Sequence, residues 1–149
     1  MRYISTRGRA PAVSFTQAIL AGLAPDGGLY VPESYADIAA HRATFATEHF
    51  SAAAAPVLSA LQGGFAVEDE LNLAQAYRAP WTQAWPNLVA PLIQVDQGHW
   101  ILELFHGPSV SFKDVAMQWI AQLYQAELSR SDARLTVVCA TSGDTGGAA

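Results

Sequence analysis

The strongest constraint on the fold is the order of patterns between residues 100 and 147. An apolar run, Trp100-Ile101-Leu102-Glu103-Leu104-Phe105, gives way to a loop bearing Gly107 and Pro108. A helix-period stretch follows to about Ser129, then the β-branched run Leu135-Thr136-Val137-Val138-Cys139-Ala140-Thr141 and the turn Ser142-Gly143-Asp144-Thr145-Gly146-Gly147. Strand, helix, strand in that order suits a right-handed crossover in a parallel sheet. The fold class is therefore α/β. Both loops would leave the carboxyl ends of strands, the side on which open α/β sheets bind ligands.

The first loop, His106-Gly107-Pro108-Ser109-Val110-Ser111-Phe112-Lys113-Asp114, carries the only lysine of 149 residues, and the other seven cations are arginines. Ser111 and Asp114 have capping-box spacing, which predicts Lys113 in the first turn of its helix. At about 100° per residue, Phe112, Val115, Ala116, Trp119, Ile120 and Leu123 form an apolar stripe. Asp114, Gln118, Gln122 and Gln125 gather opposite, and Lys113 runs along the stripe's edge with Met117, Ile120 and Tyr124. Burial and the positive end of the helix dipole should then both lower the lysine pKa. Such a lysine suits a Schiff base or general base. The competing reading is a lysine whose stem is buried while its ammonium reaches water or a carboxylate.

The second loop has backbone N–H groups, hydroxyls and a following helix, a pattern that can bind phosphate or carboxylate. It is neither the P-loop nor the dinucleotide fingerprint, because it lacks Gly-Lys-Ser/Thr and G-x-G-x-x-G. A plain tight turn is the alternative. With the two loops at one sheet edge, an amine would stand between two helix N-termini. That crevice calls for an anionic carbonyl compound. Pyridoxal phosphate fits, as would a sugar phosphate or keto acid.

The rest of the chain is helical up to a Pro/Trp-rich boundary. Residues 2–6 favour a strand, and Ser14 with Gln17 forms a capping box before a helix with Phe15, Ala18, Ile19 and Leu23 on one face. Pro25-Asp26-Gly27-Gly28 turns into the extended Leu29-Tyr30-Val31-Pro32. Ser34 and Asp37 predict a helix to about Ala46. Another runs from Ser51 to Leu61, starting or kinking at Pro56, and a third from Val67 to Ala79. Ala79-Pro80-Trp81 and Trp85-Pro86-Asn87 mark a boundary between an N-terminal domain, residues 1–86, and a second domain starting at 87. Leu92 to Val95 and Trp100 to Phe105 read as a hairpin about Asp96-Gln97-Gly98.

Composition narrows the partners. Eight cations against thirteen acids give a net charge of −5, with no basic cluster, which argues against nucleic acid or an anionic membrane. One cysteine excludes an internal disulfide and a cysteine-based zinc site. The opening residues have no signal-peptide character, no apolar run is long enough for a membrane span, and the chain reads as cytoplasmic. It stops at Gly146-Gly147-Ala148-Ala149, where a helix should begin, which reads as the truncated start of a longer protein.

The two loops together, His106 to Asp114 and Ala140-Thr141-Ser142-Gly143-Asp144-Thr145-Gly146, closely resemble those of the threonine synthase family, pyridoxal-phosphate enzymes of fold type II. The start agrees: Tyr3-Ile4-Ser5-Thr6-Arg7-Gly8 and Gly22-Leu23-Ala24-Pro25-Asp26-Gly27-Gly28-Leu29-Tyr30-Val31-Pro32 look like that family's N-terminal domain. Ser109 and Ser111 stand where the family often has Thr and Ala. The resemblance implies a small α/β N-terminal domain followed by the first part of a parallel-sheet catalytic domain. It implies that Lys113 holds pyridoxal 5'-phosphate as a Schiff base and shuttles protons, while O-phospho-L-homoserine and water become L-threonine and phosphate. Phe112 and Asp144 would lie at the cofactor, although related enzymes carry asparagine at the Asp144 position. Thr141, Ser142, Gly143, Asp144, Thr145 and Gly146 would bind the substrate carboxylate. The family's later phosphate-gripping loop is not in this sequence, so the chain alone is expected to be inactive and to need the remainder of the catalytic domain. The alternatives are a related pyridoxal-phosphate phospholyase and a non-catalytic folding or docking fragment.

Other candidates have plainer readings. Glu103, His106 and Asp114 have poor metal-ligand spacing, so no metal is expected. His106 reads as a loop histidine bonded to backbone, His41, His49 and His99 as surface or partly buried residues, and Cys139 as a buried thiol. Ser142 lacks a histidine to activate it. The four tryptophans read as packing residues.

Overall fold

The computed structural model describes residues 1–46, 49–64, 67–78, 81, 89–130 and 134–149. The expected boundary at Trp85-Pro86-Asn87 lies outside them. The chain forms two compact units, one of residues 1–46 and 52–69, the other of residues 47–51 and 70–149.

The first unit is built on a three-stranded antiparallel sheet. Strand β1 (Arg2–Ser5) lies between β2 (Val13–Ser14) and β3 (Tyr30–Pro32), with Tyr3 opposite both Val13 and Pro32. Side chains alternate across a strand, so Tyr3 and Ser5 point inward while Arg2 and Ile4 are exposed. The Tyr3 ring packs 5.8 Å from Phe15, and its hydroxyl donates to the Leu61 carbonyl at 2.6 Å. Helix α1 (Phe15–Ala21) begins with the expected capping box: Gln17 N–H donates to Ser14 Oγ, and Ser14 N–H to Gln17 Oε1. It ends at Gly22, so Leu23 leaves the expected helical face. It bridges to Leu29 and stays 61% exposed.

Ser5 is buried because Asp26 needs it. Asp26 accepts from the Ser5 hydroxyl at 2.7 Å, from Arg9 N–H at 2.9 Å and from Gly28 N–H at 3.0 Å. The Ser5 bond does most to lower the Asp26 pKa to about 2; the amides of Gly28, Arg9 and Ala10 add to it against a burial penalty. Gly28 packs so closely that a Cβ there would lie 2.1 Å from Ser5 Oγ and 3.1 Å from the Arg7 backbone nitrogen.

Three of the expected helices shift. The Ser34 start does not form. Asp37 instead accepts from Ala39 N–H at 2.8 Å, ahead of a short 3-10 turn (Ala39–His41) and helix α2 (Arg42–Phe45). Helix α3 (Phe50–Gln62) runs through Pro56 and stops at Gly63. A proline removes one helical donor, yet the alanines around it favour the helix enough to carry it on. Helix α4 (Val67–Ala76) ends before the expected Ala79, which lies outside the described residues.

In the second unit Tyr77 pins the end of α4 to helix α5 (Asp114–Ser129). Its hydroxyl donates to the Val115 carbonyl at 2.6 Å, and its ring lies 4.9 Å from Phe50 and 6.0 Å from Trp81. Burial raises the tyrosine pKa to about 12. Among the described residues of this unit, Leu73, Ala76, Trp81, Val89, Trp119 and Leu123 are the buried apolar ones. Gln122 and Gln125 line a polar cleft with Asn72 and Gln75 of α4.

The hairpin forms. Strands β4 (Leu92–Asp96) and β5 (His99–Leu102) pair antiparallel about Gln97–Gly98, one residue tighter than expected, and β5 ends at Leu102, short of the expected Phe105. The parallel crossover does not. Residues 134–141 carry no strand pairing, Val138 is 86% exposed, and Cys139 is exposed rather than buried. A central parallel strand takes hydrogen bonds from neighbours on its edges, and the described residues supply none. Trp100, expected to pack, is also exposed on β5, whereas Trp81 and Trp119 are buried. Trp85 lies outside the described residues. No described helix is long and apolar enough to cross a membrane.

Two measurements check the local frameworks. Gly28→Ala is expected to cost about 1–3 kcal/mol through overpacking, read by denaturant unfolding. Asp26 has a folded pKa of about 2 below its unfolded value, so its stabilisation is present above the unfolded pKa and lost as pH falls through the folded one. Ser5→Ala should therefore flatten the acid limb of a stability–pH curve. Tyr77 works in the opposite sense. Its folded pKa is raised to about 12 from 10.0, so its contribution is complete below the unfolded value and lost as pH climbs through the folded one. Tyr77→Phe should lower stability by about 1 kcal/mol near neutrality and remove that alkaline loss.

Candidate active site

Lys113 is the N-cap of α5, two positions earlier than the capping-box spacing places it, with φ −64° and ψ −24°. The Ser111/Asp114 capping box does not form. Ser111 instead supplies its carbonyl to Asp114 N–H at 3.0 Å, and its hydroxyl only a long 3.4 Å contact to Lys113 N–H. Asp114 turns backward: Ser109 N–H donates to its Oδ2 at 2.9 Å and the Ser109 hydroxyl to its Oδ1 at 2.7 Å. Its exposure is 0%, so it is not on a solvated polar face. A buried carboxylate is tolerable only when hydrogen bonded, and its place in the first turn also suits the helix dipole.

The loop is shaped around that carboxylate. Val110 N–H donates to the Gly107 carbonyl at 3.1 Å, closing a β-turn with Pro108 at the position where its fixed φ fits. A Cβ on Gly107 would lie 2.4 Å from Asp114 Oδ2, so only glycine allows the approach. Val110 has φ +61°, the only positive φ outside glycine among the described residues. For a β-branched residue this costs about 1–3 kcal/mol and survives only where neighbours impose it.

The Lys113 ammonium lies 3.5 Å from Asp144 Oδ2 and 4.2 Å from the centre of the Phe112 ring, with its side chain 25% exposed. The amine is therefore reachable by a carbonyl compound and paired with a carboxylate, not isolated in apolar surroundings. Phe112 itself is exposed. The structure thus brings together Lys113, Phe112 and Asp144 without the parallel sheet expected to do so.

In the second loop Thr141 Oγ1 accepts from Gly143 N–H at 2.9 Å and from Gly146 N–H at 3.3 Å. Two amides expected to face an anion are thus occupied by a hydroxyl of their own loop. Helix α6 (Asp144–Ala148) follows Gly143. Ser142 precedes Gly143, and Thr145 follows Asp144 in α6.

His106 departs from its expected backbone bond. Its Nε2 lies 2.7 Å from Glu103 Oε2, with the His106 side chain only 9% exposed and its ring 4.6 Å from Phe105. The i, i+3 spacing of Glu103 and His106 was the available signal for this pair. Asp114 is engaged by Ser109, and no group of three His, Cys, Asp or Glu able to hold a metal occurs among the described residues. His41, His49 and His99 are exposed.

The family profile described as "Threonine synthase N terminus" matches residues 2–76. Threonine synthase of Pseudomonas aeruginosa is 41% identical over 152 residues, a match spanning 100% of this chain and 32% of that protein. The structure of the PLP-bound threonine synthase of Brucella melitensis superposes with a TM-score of 0.89 at 42% identity, covering 99% of this chain and 32% of that one. The Escherichia coli threonine synthase structure gives 0.78 at 30% identity, covering 99% and 33%. The chain spans about a third of the length of these relatives. With the profile covering half of its residues, and with its mixed α/β fold matching the N-terminal part of those structures, the chain belongs to the threonine synthase family.

Proposed function

We propose that the chain carries the amine-bearing part of a threonine synthase, converting O-phospho-L-homoserine and water to L-threonine and phosphate. The observation that carries this reading is the approach of Lys113 to Asp144 at 3.5 Å, which joins the two family loops at one reachable amine. In this reading residues 1–86 are the N-terminal domain, and residues 87–149 begin a fold type II catalytic domain in the cytoplasm.

The residues fit pyridoxal 5'-phosphate. A part-exposed primary amine can bond an aldehyde, and the neighbouring aromatic face and carboxylate suit a flat, polar ring. When bound, the cofactor supplies an aldehyde for the amine and an electron sink for the substrate's α-carbon. Lys113 anchors the cofactor and then moves protons as its free amine. The Asp144 carboxylate holds that amine in place. Phe112 borders the ring, and the loop of Thr141, Ser142, Gly143, Asp144, Thr145 and Gly146 receives the substrate carboxylate through its amides and hydroxyls, which requires Thr141 Oγ1 to release the Gly143 and Gly146 amides that it holds here. This chain alone does not complete the site, because the residues that grip the cofactor phosphate belong to the remainder of the catalytic domain.

The test joins residues 1–149 to the remaining two-thirds of the Pseudomonas aeruginosa enzyme. With cofactor and O-phospho-L-homoserine, the chimaera should show a visible absorption band and release phosphate and threonine. The 149-residue chain by itself should do neither. Lys113→Ala in the chimaera should remove the band and lower turnover by about a thousandfold or more, as loss of a covalent-catalysis group does. A band that survives Lys113→Ala refutes the lysine's role, and 2-oxobutyrate in place of threonine would show the phospholyase instead.

A further inference from the structure

We propose that Asp114 is a positioning residue for the Lys113 amine. It acts by closing the chain from Ser109 to Asp114 into a ring of which Lys113 is a member. The inference rests on the reading of Lys113 as the working amine, and it concerns what holds that amine rather than what the amine does.

Three features of the loop support it. The Asp114 carboxylate is fully buried, and both of its oxygens are bonded to Ser109, at 2.9 Å from the amide and 2.7 Å from the hydroxyl. A salt bridge or helix cap would account for a buried carboxylate, but neither of these bonds is of that kind. Both run back across the loop that precedes the lysine. Second, Gly107 presses against this carboxylate so closely that no side chain fits there. Third, Val110 is held at φ +61° inside the same ring. A β-branched residue left to itself would return to negative φ. That rotation would redirect the chain three residues before Lys113 and swing the amine away from Asp144. The carboxylate is the group whose bonds close the ring against that relaxation.

The side chain of Lys113 can be followed alone, because it is the only lysine of the chain. Reductive methylation with carbon-13 formaldehyde labels it and the α-amino group of Met1, and leaves the charge in place. In Asp114→Asn the labelled Lys113 resonance should move to its position in the unfolded chain. The rate of Lys113 acylation in the unlabelled protein should rise about threefold, the scale of losing one part-exposed ion pair. Ser109→Ala, which removes one of the two bonds, should displace both readings in the same direction by a smaller amount. Tyr77→Phe loosens the same helix from elsewhere, and should lower the unfolding temperature without moving either reading.

Wild-type readings in folded Asp114→Asn would overturn the proposal, as would a Tyr77→Phe displacement as large as that of Asp114→Asn. Should Asp114→Asn not fold, Ser109→Ala decides by the same two readings. These outcomes are independent of the cofactor, so they stand apart from the absorption-band test of Lys113→Ala.

Discussion

A fully buried carboxylate bonded through both oxygens to Ser109 dictates the loop around Lys113. Removing an ionisable group from water costs several kcal/mol unless its oxygens are bonded. The chain before Asp114 therefore folds back to supply donors. Ser109 gives an amide and a hydroxyl from within the tight turn at Gly107–Val110, and Val110 is held at positive φ in the stretch between Ser109 and Asp114.

The first unit solves a similar problem with the same residue type. Asp26 draws Ser5, Arg9 and Gly28 around its carboxylate and ties the end of β1 to the turn before β3. A short acidic side chain is well suited to this, since it can accept several local amides that a loop would otherwise leave unpaired. In both places a glycine is needed for close approach, Gly28 beside Ser5 and Gly107 beside Asp114. The difference is exposure. Asp26 remains partly open to water and titrates low, whereas Asp114 is sealed.

Much of this was legible in the sequence where the signal was local. The Ser14/Gln17 box, the Pro25–Gly28 turn and the hairpin depend on residues within a few positions of one another, and each forms. The Ser111/Asp114 pair shows how such a signal can mislead. The spacing is right for a box, but Asp114 has a second acceptor geometry toward Ser109, and burial favours the one that satisfies both oxygens. Residues 135–141 fail for the opposite reason. A β-branched run reports fitness for a buried sheet, but pairing requires strands that the described residues do not provide. Cys139 lies in that unpaired run and is exposed with it. The Glu103–His106 pair was hidden in a loop whose spacing has several explanations.

Lys113 meets Asp144 even though the sheet expected to align their loops is not formed. The lysine end of that contact is set within residues 107–114, by bonds that span no more than a few positions. The Asp144 end is set by Thr141, whose hydroxyl gathers Gly143 and Gly146. Two locally closed loops therefore carry most of the site's geometry. An amine built on such loops is positioned by bonds of its own segment, and the strain at Val110 is borne locally instead of across the domain.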